Sequence, residues 1–125
     1  MVAHDRNVAA RNADFHRINQ TLPLINHKIA EGKGTNVADR FDRVFWFGDL
    51  NYRINGTRKM IEELIKSEMT EVLVANDQLS IAKRSGEAWK GFLEGALMFK
   101  PTYKYDEGTD QYDTSAKGNQ CLYSV

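Results

Sequence analysis

The chain has 125 residues, of which 42% are apolar and 27% are charged, an ordinary composition for a soluble globular protein. Its 17 Lys and Arg residues balance 17 Asp and Glu residues, so the global charge draws it neither to nucleic acid nor to an anionic membrane. No apolar run approaches the roughly 20 residues of a transmembrane helix, and the length allows one domain at most, or a piece of one.

The first predicted element is an amphipathic helix that begins near Asp5. Apolar residues recur at helical spacing up to Leu22, and the aliphatic stem of Arg11 completes the stripe. Pro23 is expected to end this helix. The Gly-rich stretch 32–36 is expected to be a surface loop, because it lacks the Gly-Lys-Ser/Thr spacing of a phosphate-binding loop.

A strand is predicted next, over residues 44–47. This run is short, aromatic and β-branched, which is typical of a strand that is buried on both faces. Gly48 ends the run, so Asp49 and Asn51 would lie at its carboxyl end. Because side chains two residues apart on an extended backbone point the same way, Asp49 and Asn51 are expected to face one ligand.

The rest of the chain predicts helices and then a polar tail. Thr57 is expected to cap a helix over residues 60–65, and a second helical stretch is expected over residues 72–82. Tyr103 and Tyr105 alternate with polar residues in a short strand-like pattern. These elements indicate one mixed α/β piece in which helices cover a sheet.

Asp49 and Asn51 have the chemistry that hydrolysis of a phosphate ester needs. A carboxylate can orient and deprotonate water, and a carboxamide can donate to the charge that develops on the phosphoryl group, usually beside a divalent cation. The alternative is structural, because Asp and Asn after glycine most often satisfy backbone groups of a turn. These residues alone leave both interpretations open.

A longer match points to a family. The string Phe-Trp-Phe-Gly-Asp-Leu-Asn-Tyr-Arg-Ile at residues 45–54 resembles the signature motif of the inositol polyphosphate 5-phosphatases. The resemblance covers residues 1–118, as the central part of a catalytic domain, and residues 119–125 form a divergent tail. Further segments follow the family pattern in the same order: residues 1–15, 77–79, 91–94, 99–106, 113–115 and 117.

The resemblance implies an endonuclease/exonuclease/phosphatase fold, a two-sheet α/β sandwich with flanking helices. It also implies Mg²⁺-dependent removal of the 5-phosphate from phosphoinositides, of the phosphatidylinositol 4,5-bisphosphate type, or from soluble inositol polyphosphates. Asp49 would help to activate the attacking water, and Asn51 would contact the scissile phosphate. Tyr103, Lys104 and Lys117 would contact the neighbouring 4-phosphate. Such substrates imply that the protein can meet a membrane surface peripherally.

Alternatives remain at several of these positions. Lys104 suits a phosphate monoester as a compact charge, but it could equally be a solvated strand lysine. Arg53 is given a structural role first, bracing a carboxylate such as Asp49 or Asp113. As a whole, the chain could instead be a non-catalytic fragment that binds phosphoinositides or a protein partner, or a nuclease of the same fold, although the basic groove expected for DNA is not evident.

Parts of the family pattern do not occur in the chain. These are an upstream Gln-Glu pair whose carboxylate binds the metal, and downstream Arg-x-Pro-x-Trp-Cys-Asp-Arg and Ser-Asp-His segments. The principal metal ligand is therefore expected outside this chain, and none of its own residues is assigned to metal. Because catalytic groups act as a unit, the isolated chain is expected to be nearly inactive.

The lone cysteine and the N-terminus bear on the cellular setting. Cys121 cannot form a disulfide within the chain. The first residues lack the basic and then apolar layout of a signal peptide. A reducing, cytoplasmic setting is therefore expected.

Overall fold

The computed structural model describes residues 1–23, 34 and 36–115. The chain enters a short 3-10 turn, Asp5–Asn7, which leads directly into the long helix α1, Val8–Thr21. No described helix has the length and apolar character to cross a membrane. The shorter helices among the described residues are α2 (Val37–Arg40), α3 (Arg58–Lys66), α4 (Thr70–Ala75) and α5 (Gln78–Ser85).

Helix α1 confirms the first predicted element, and it ends just before Pro23. Phe15 is buried, as its place in the apolar stripe predicts, and Arg11 is fully buried. The guanidinium of Arg11 is buried together with its aliphatic stem, and it has hydrogen-bond partners. Its Nη1 donates to the carbonyl of His4 at 2.5 Å, and its Nη2 donates to Oε1 of Gln78 at 2.6 Å.

Helix α3 is also confirmed, with Thr57 as its cap: Oγ1 of Thr57 accepts from the backbone N–H of Met60 at 3.3 Å. The prediction of a single helix over residues 72–82 is wrong, because α4 and α5 are separated at Asp77. The Asp77 carboxylate accepts from the backbone N–H of Ser80 at 2.8 Å. An N-cap of this kind satisfies an otherwise unpaired donor and starts a new helix.

The predicted strand over residues 44–47 is not formed. Phe45 and Phe47 are 84% and 89% exposed, so the prediction that this run is buried on both faces, with Phe47 in the core, is also wrong. Trp46 alone of the three aromatic residues packs inward. A strand needs a neighbouring backbone to pair with. Where both partners are described residues, the pairing consists of isolated antiparallel bridges, Ile54 with Asp77 and Tyr105 with Tyr112.

The core consists of separate clusters, one aliphatic and one aromatic. The aliphatic cluster packs α3 against α4 and includes Ile54 from the segment that precedes α3. The aromatic cluster surrounds Trp89, whose ring centroid lies 4.4 Å from that of Phe15 and 4.9 Å from that of Trp46. The buried members of the aromatic cluster are Phe15, Tyr52, Ala82, Ala88 and Trp89.

Tyr52 connects the aromatic cluster to a buried hydrogen-bond chain. Trp89 Nε1 donates to the Tyr52 hydroxyl at 3.0 Å, and that hydroxyl donates to Oδ1 of Asn12 at 2.6 Å. Asn12 in turn donates to the carboxylate of Glu87 at 3.0 Å. Burial raises the pKa of Tyr52, which keeps the phenol protonated and able to donate. The residue next to Asn51 is therefore fixed within the core.

Gln78, at the start of α5, anchors the segment that follows Asn51. Its backbone N–H donates to the carbonyl of Arg53 at 3.0 Å, and its Oε1 accepts from the backbone N–H of Arg53 at 3.0 Å. Its Nε2 donates to Oδ1 of Asn55 at 2.9 Å. Since Oε1 also accepts from Arg11, one buried amide ties α1 and α5 to residues 53–55.

Replacement of Gln78 by Ala is expected to lower the free energy of unfolding by about 3 kcal/mol, because it removes the buried oxygen that accepts from Nη2 of Arg11 and from the backbone N–H of Arg53. The matched control is Gln20→Ala, at an exposed position of α1, with an expected change of about 0.5 kcal/mol or less. Urea denaturation of the chain followed by circular dichroism measures both. Equal effects of the two substitutions would contradict the anchoring role.

Candidate functional site

Asp49 and Asn51 lie on a tight turn. Gly48 has a φ of 132° and Asn51 a φ of 61°, so the backbone is not extended here. Oδ1 of Asp49 accepts from the backbone N–H of Asn51 at 3.0 Å. The expectation that the two side chains point the same way from an extended strand is therefore wrong in its geometry, because the turn, without a strand partner, closes on itself.

The same turn nevertheless brings Asp49 and Asn51 onto one cavity of about 350 Å³. Asp77, Leu79 and Glu94 line this cavity as well. The two residues predicted as catalytic are thus together, although the Asp49 carboxylate also serves the turn. The sequence argument gave no role to Asp77 or Glu94; the signal that could have identified them is that residues 77–79 and 91–94 follow the family pattern.

The carboxyl group of Asp77 differs from that of a surface aspartate. Burial raises its pKa, hydrogen bonds from Ser80 oppose that rise, and the nearby charge of Glu94 adds to it. Glu94 itself pairs with Lys83, whose Nζ lies 3.3 Å from Oε2. The cavity therefore has acidic walls, and burial disfavours the charged form of one of them, Asp77.

The donor atoms suit a hard divalent cation. Carboxylate and amide oxygens, such as those of Asp49 and Asn51, are the ligands that Mg²⁺ prefers, and Mg²⁺ usually keeps waters and substrate phosphates in its shell. Within the part of the chain that the structure describes, no three Asp, Glu, His or Cys side chains converge to hold an ion. Asp49 and Asn51 therefore fit a cation that takes most of its ligands from other groups, such as waters and substrate phosphates.

Arg53 connects Asn51 to Tyr103. Its Nη2 donates to Oδ1 of Asn51 in a long hydrogen bond of 3.5 Å, and its Cζ lies 4.9 Å from the centroid of the Tyr103 ring. The ring is 44% exposed, so its edge remains accessible. Neither carboxylate predicted as a partner of Arg53, Asp49 or Asp113, takes part in these contacts, which instead link a residue expected at the scissile phosphate to one expected at the 4-phosphate.

Lys104 is held by an ion pair with Asp113. Its Nζ lies 3.2 Å from Oδ2 of Asp113, and the Lys104 side chain is 41% exposed whereas that of Asp113 is 5% exposed. Lys104 is thus an ion-paired lysine and not a freely solvated one. Asp113 also accepts from the hydroxyl of Ser115 at 2.8 Å and from its backbone N–H at 3.0 Å. Lys117 lies outside the described residues, so its assignment stays a prediction.

The segment that carries Lys104 is a small hairpin. The strand-like pattern around Tyr103 and Tyr105 is present as an isolated bridge between Tyr105 and Tyr112, whose rings stack at a centroid distance of 4.5 Å. The backbone N–H of Asp113 donates to the carbonyl of Lys104 at 3.0 Å. Backbone pairing therefore places Lys104 beside the carboxylate that binds its ammonium group.

Comparisons with known proteins agree with this geometry. Residues 1–121 match the family model described as Endonuclease/Exonuclease/phosphatase family 2. The chain is 50% identical to human synaptojanin-1 over 109 residues, which is 87% of this chain and 7% of that protein. It is 38% identical to rat phosphatidylinositol polyphosphate 5-phosphatase type IV over 128 residues, which is 96% of this chain and 20% of that protein. The chain thus spans a small part of these relatives.

A solved structure is similar across almost the whole chain. It is the inositol polyphosphate 5-phosphatase domain of SPsynaptojanin, in complex with inositol (1,4)-bisphosphate and a calcium ion. The TM-score is 0.80 at 31% sequence identity, and the match covers 98% of this chain and 35% of that chain. The fold of the endonuclease/exonuclease/phosphatase class is therefore confirmed at the level of the family.

The Asp113 contacts predict a pH dependence. Hydrogen bonds from the Ser115 hydroxyl and backbone, with a further contribution from Lys104, lower the pKa of Asp113 from its ordinary value of 3.8 to about 2. A carboxyl group with a lowered folded pKa stabilises the fold above its unfolded pKa and loses that contribution as the pH falls. The free energy of unfolding should therefore fall between pH 3.8 and about 2.

The free energy of unfolding of Asp113→Asn should fall less steeply over that pH range than that of the wild type, since the substitution removes the titrating carboxyl group. Gln111→Ala, at an exposed position of the same segment, is the control; it removes no ionisable group and should keep the wild-type slope. Urea denaturation midpoints at several pH values measure the difference. An Asp113→Asn variant as acid-sensitive as the wild type would contradict the assignment.

Proposed function

This chain belongs to the endonuclease/exonuclease/phosphatase family, in its inositol polyphosphate 5-phosphatase branch, and we propose that it is the central part of a 5-phosphatase catalytic domain. The complete domain removes the 5-phosphate from phosphoinositides or soluble inositol polyphosphates and has the two-sheet α/β sandwich of the class. The observation that carries the proposal is the shared cavity of Asp49 and Asn51, linked through Arg53 to Tyr103.

In the proposed reaction, Asp49 orients a water molecule and takes its proton as the water oxygen attacks phosphorus. The bond from phosphorus to the inositol 5-oxygen breaks, and the leaving oxygen takes up a proton from solvent, giving inorganic phosphate and an inositol hydroxyl; Asp49 then releases the proton it took from the water. The Nδ2 of Asn51 donates to a phosphoryl oxygen and stabilises its developing charge. Mg²⁺, when bound, supplies further neutralisation of the phosphate charge.

Recognition of the head group falls to the hairpin. The Tyr103 hydroxyl is a neutral donor and the Lys104 ammonium a compact charge, a combination suited to the 4-phosphate. Although Asp113 holds the ammonium, Lys104 is exposed enough for a phosphate to approach it. Lys117 is proposed to contact the same phosphate. The inositol (1,4)-bisphosphate in the related structure supports this assignment, because it carries a 4-phosphate and lacks the 5-phosphate, as a product would.

The proposed substrate class is phosphatidylinositol 4,5-bisphosphate and soluble inositol phosphates with the same 4,5 pattern. A cytoplasmic protein that meets the membrane peripherally is proposed, because a lipid substrate of this class would lie at the bilayer surface. The named activity of the rat relative and the ligand of the solved domain support this class. Nucleic acid is not proposed as a partner, since the 17 Lys and Arg residues of the chain are balanced by 17 Asp and Glu residues.

A second candidate is a non-catalytic fragment that binds head groups or a protein partner without turnover. The absence of a metal-binding cluster in the described residues favours it for the isolated chain. Binding to liposomes that contain phosphatidylinositol 4,5-bisphosphate, without phosphate release, would distinguish this state from the complete enzyme.

Replacement of Asp49 by Ala in the complete catalytic domain is expected to lower kcat by about a hundredfold or more, because the attacking water loses its base. Asn51→Ala should have an effect of similar size, through loss of a donor to the phosphoryl group. Malachite green detection of released phosphate measures both, with Asp110→Ala as the control. Undiminished phosphate release from Asp49→Ala would refute the catalytic assignment.

Lys104→Ala is expected to raise KM by about tenfold and leave kcat nearly unchanged, because a charge-assisted contact to a phosphate that does not react is lost. Lys59→Ala, at an exposed position of α3, is the matched control. Initial rates over a range of inositol 1,4,5-trisphosphate concentrations separate the two constants. An unchanged KM would mean that Lys104 serves only to pair with Asp113.

A further inference from the structure

Asn51 and Tyr103 are far apart in the sequence, yet one side chain contacts both of them. We propose that Arg53 is a positioning residue that fixes the amide of Asn51 and the ring of Tyr103 relative to one another. It thereby couples handling of the scissile phosphate to recognition of the head group. This inference rests on the proposed function, and it assigns Arg53 to the positioning of Asn51 and Tyr103, not to a direct contact with the reacting phosphate.

The contact with Arg53 sets the orientation of the Asn51 amide. A guanidinium has only donors, so Asn51 can present only its oxygen to Arg53, as it does at 3.5 Å. The amide nitrogen is then directed to an acceptor, and here Nδ2 donates to the carbonyl of Met1 at 3.1 Å. In the proposed reaction a phosphoryl oxygen is that acceptor. Arg53 thus selects which end of the amide faces the substrate.

The second contact of Arg53 is with Tyr103. The Arg53 Cζ lies 4.9 Å from the ring centroid, within the range of a cation–π contact. A planar guanidinium can stack on a ring with its face while it donates along its edge, which an ammonium cannot do with the same geometry. Arg53 is therefore suited to hold both partners at once.

The position of Arg53 is itself fixed. Both of its backbone groups are paired with Gln78 at 3.0 Å. Gln78 is 5% exposed and is held by Arg11, which is fully buried. The position of Arg53 is therefore set by Gln78 of α5 and, through Gln78, by Arg11 of α1, and not by the turn at Asn51.

A double-mutant cycle in the complete catalytic domain tests the coupling. Arg53→Gln is expected to lower kcat about tenfold, but less than about twofold when Asn51 is already Ala, because there is no amide left to orient. Arg53→Lys should lose kcat to the same extent and keep KM within about twofold, since a cation remains over the Tyr103 ring. Arg53→Gln should raise KM by more than about threefold.

The proposal would be overturned if the loss of kcat in the double variant Arg53→Gln, Asn51→Ala equalled the product of the two single losses. A wild-type kcat in Arg53→Lys would overturn it as well. The control is Arg17→Gln, which removes an exposed ion pair with Asp14 on α1 and should change neither constant. If the unmodified domain releases no phosphate, the proposed function fails, and the positioning role is decided by a measurement that needs no turnover.

That measurement is the ¹⁵N spectrum of the chain itself. Arg53→Gln should shift the side-chain amide resonances of Asn51 and equalise the exchange rates of its two protons, whereas Arg17→Gln should leave them unchanged. Asn51 resonances that are identical in the wild type and in Arg53→Gln would overturn the positioning role whatever the activity.

Discussion

The side chain of Gln78 joins segments that are widely separated in the sequence. It accepts from the buried Arg11 of α1, pairs with both backbone groups of Arg53, and donates to Asn55. Residues 44–53 have no strand partner among the described residues, so the Gly48–Arg53 turn lacks the lattice of backbone bonds that a sheet would give it. The candidate site is held in place instead by this amide, by the adjacent bridge between Ile54 and Asp77, and by the buried hydrogen bonds of Tyr52.

Two buried carboxyl groups near the site have opposite electrostatic surroundings. Asp77 is dominated by burial, which favours its neutral form, while it caps α5 and lines the cavity beside Asp49. Asp113 is dominated by donors from Ser115 and Lys104, which favour its charged form. Burial thus disfavours the charged form of the first carboxyl group, and the second keeps the lysine of the hairpin in place.

The sequence was sufficient where the determinants are local. The apolar stripe of α1, the Thr57 cap of α3 and the helical character around Leu73 and Ala82 could all be predicted from neighbouring residues. The break at Asp77 also had a local signal, an aspartate at a position where a cap was available. The strand over residues 44–47 could not be judged locally, because a strand exists only through a partner that is distant in sequence.

The candidate site likewise combines features that the sequence could predict with features that only tertiary contacts determine. Asp49, Asn51, Tyr103 and Lys104 were found through family resemblance, and the structure brings Asn51 and Tyr103 to opposite sides of Arg53. That Arg53 would join them, or that Asp113 would pair with Lys104, follows from tertiary contacts that no spacing in the sequence reveals. Lys117 lies beyond the described residues and stays a prediction.

The central claim is that this chain carries part of a phosphatase site specific for the 5-position. The most direct test is ³¹P NMR of inositol 1,4,5-trisphosphate incubated with the complete catalytic domain and Mg²⁺. The resonance of the 5-phosphate should disappear as the resonance of inorganic phosphate grows, while the resonances of the 1- and 4-phosphates persist. Loss of the 1- or 4-phosphate first, or no change in any resonance, would contradict it.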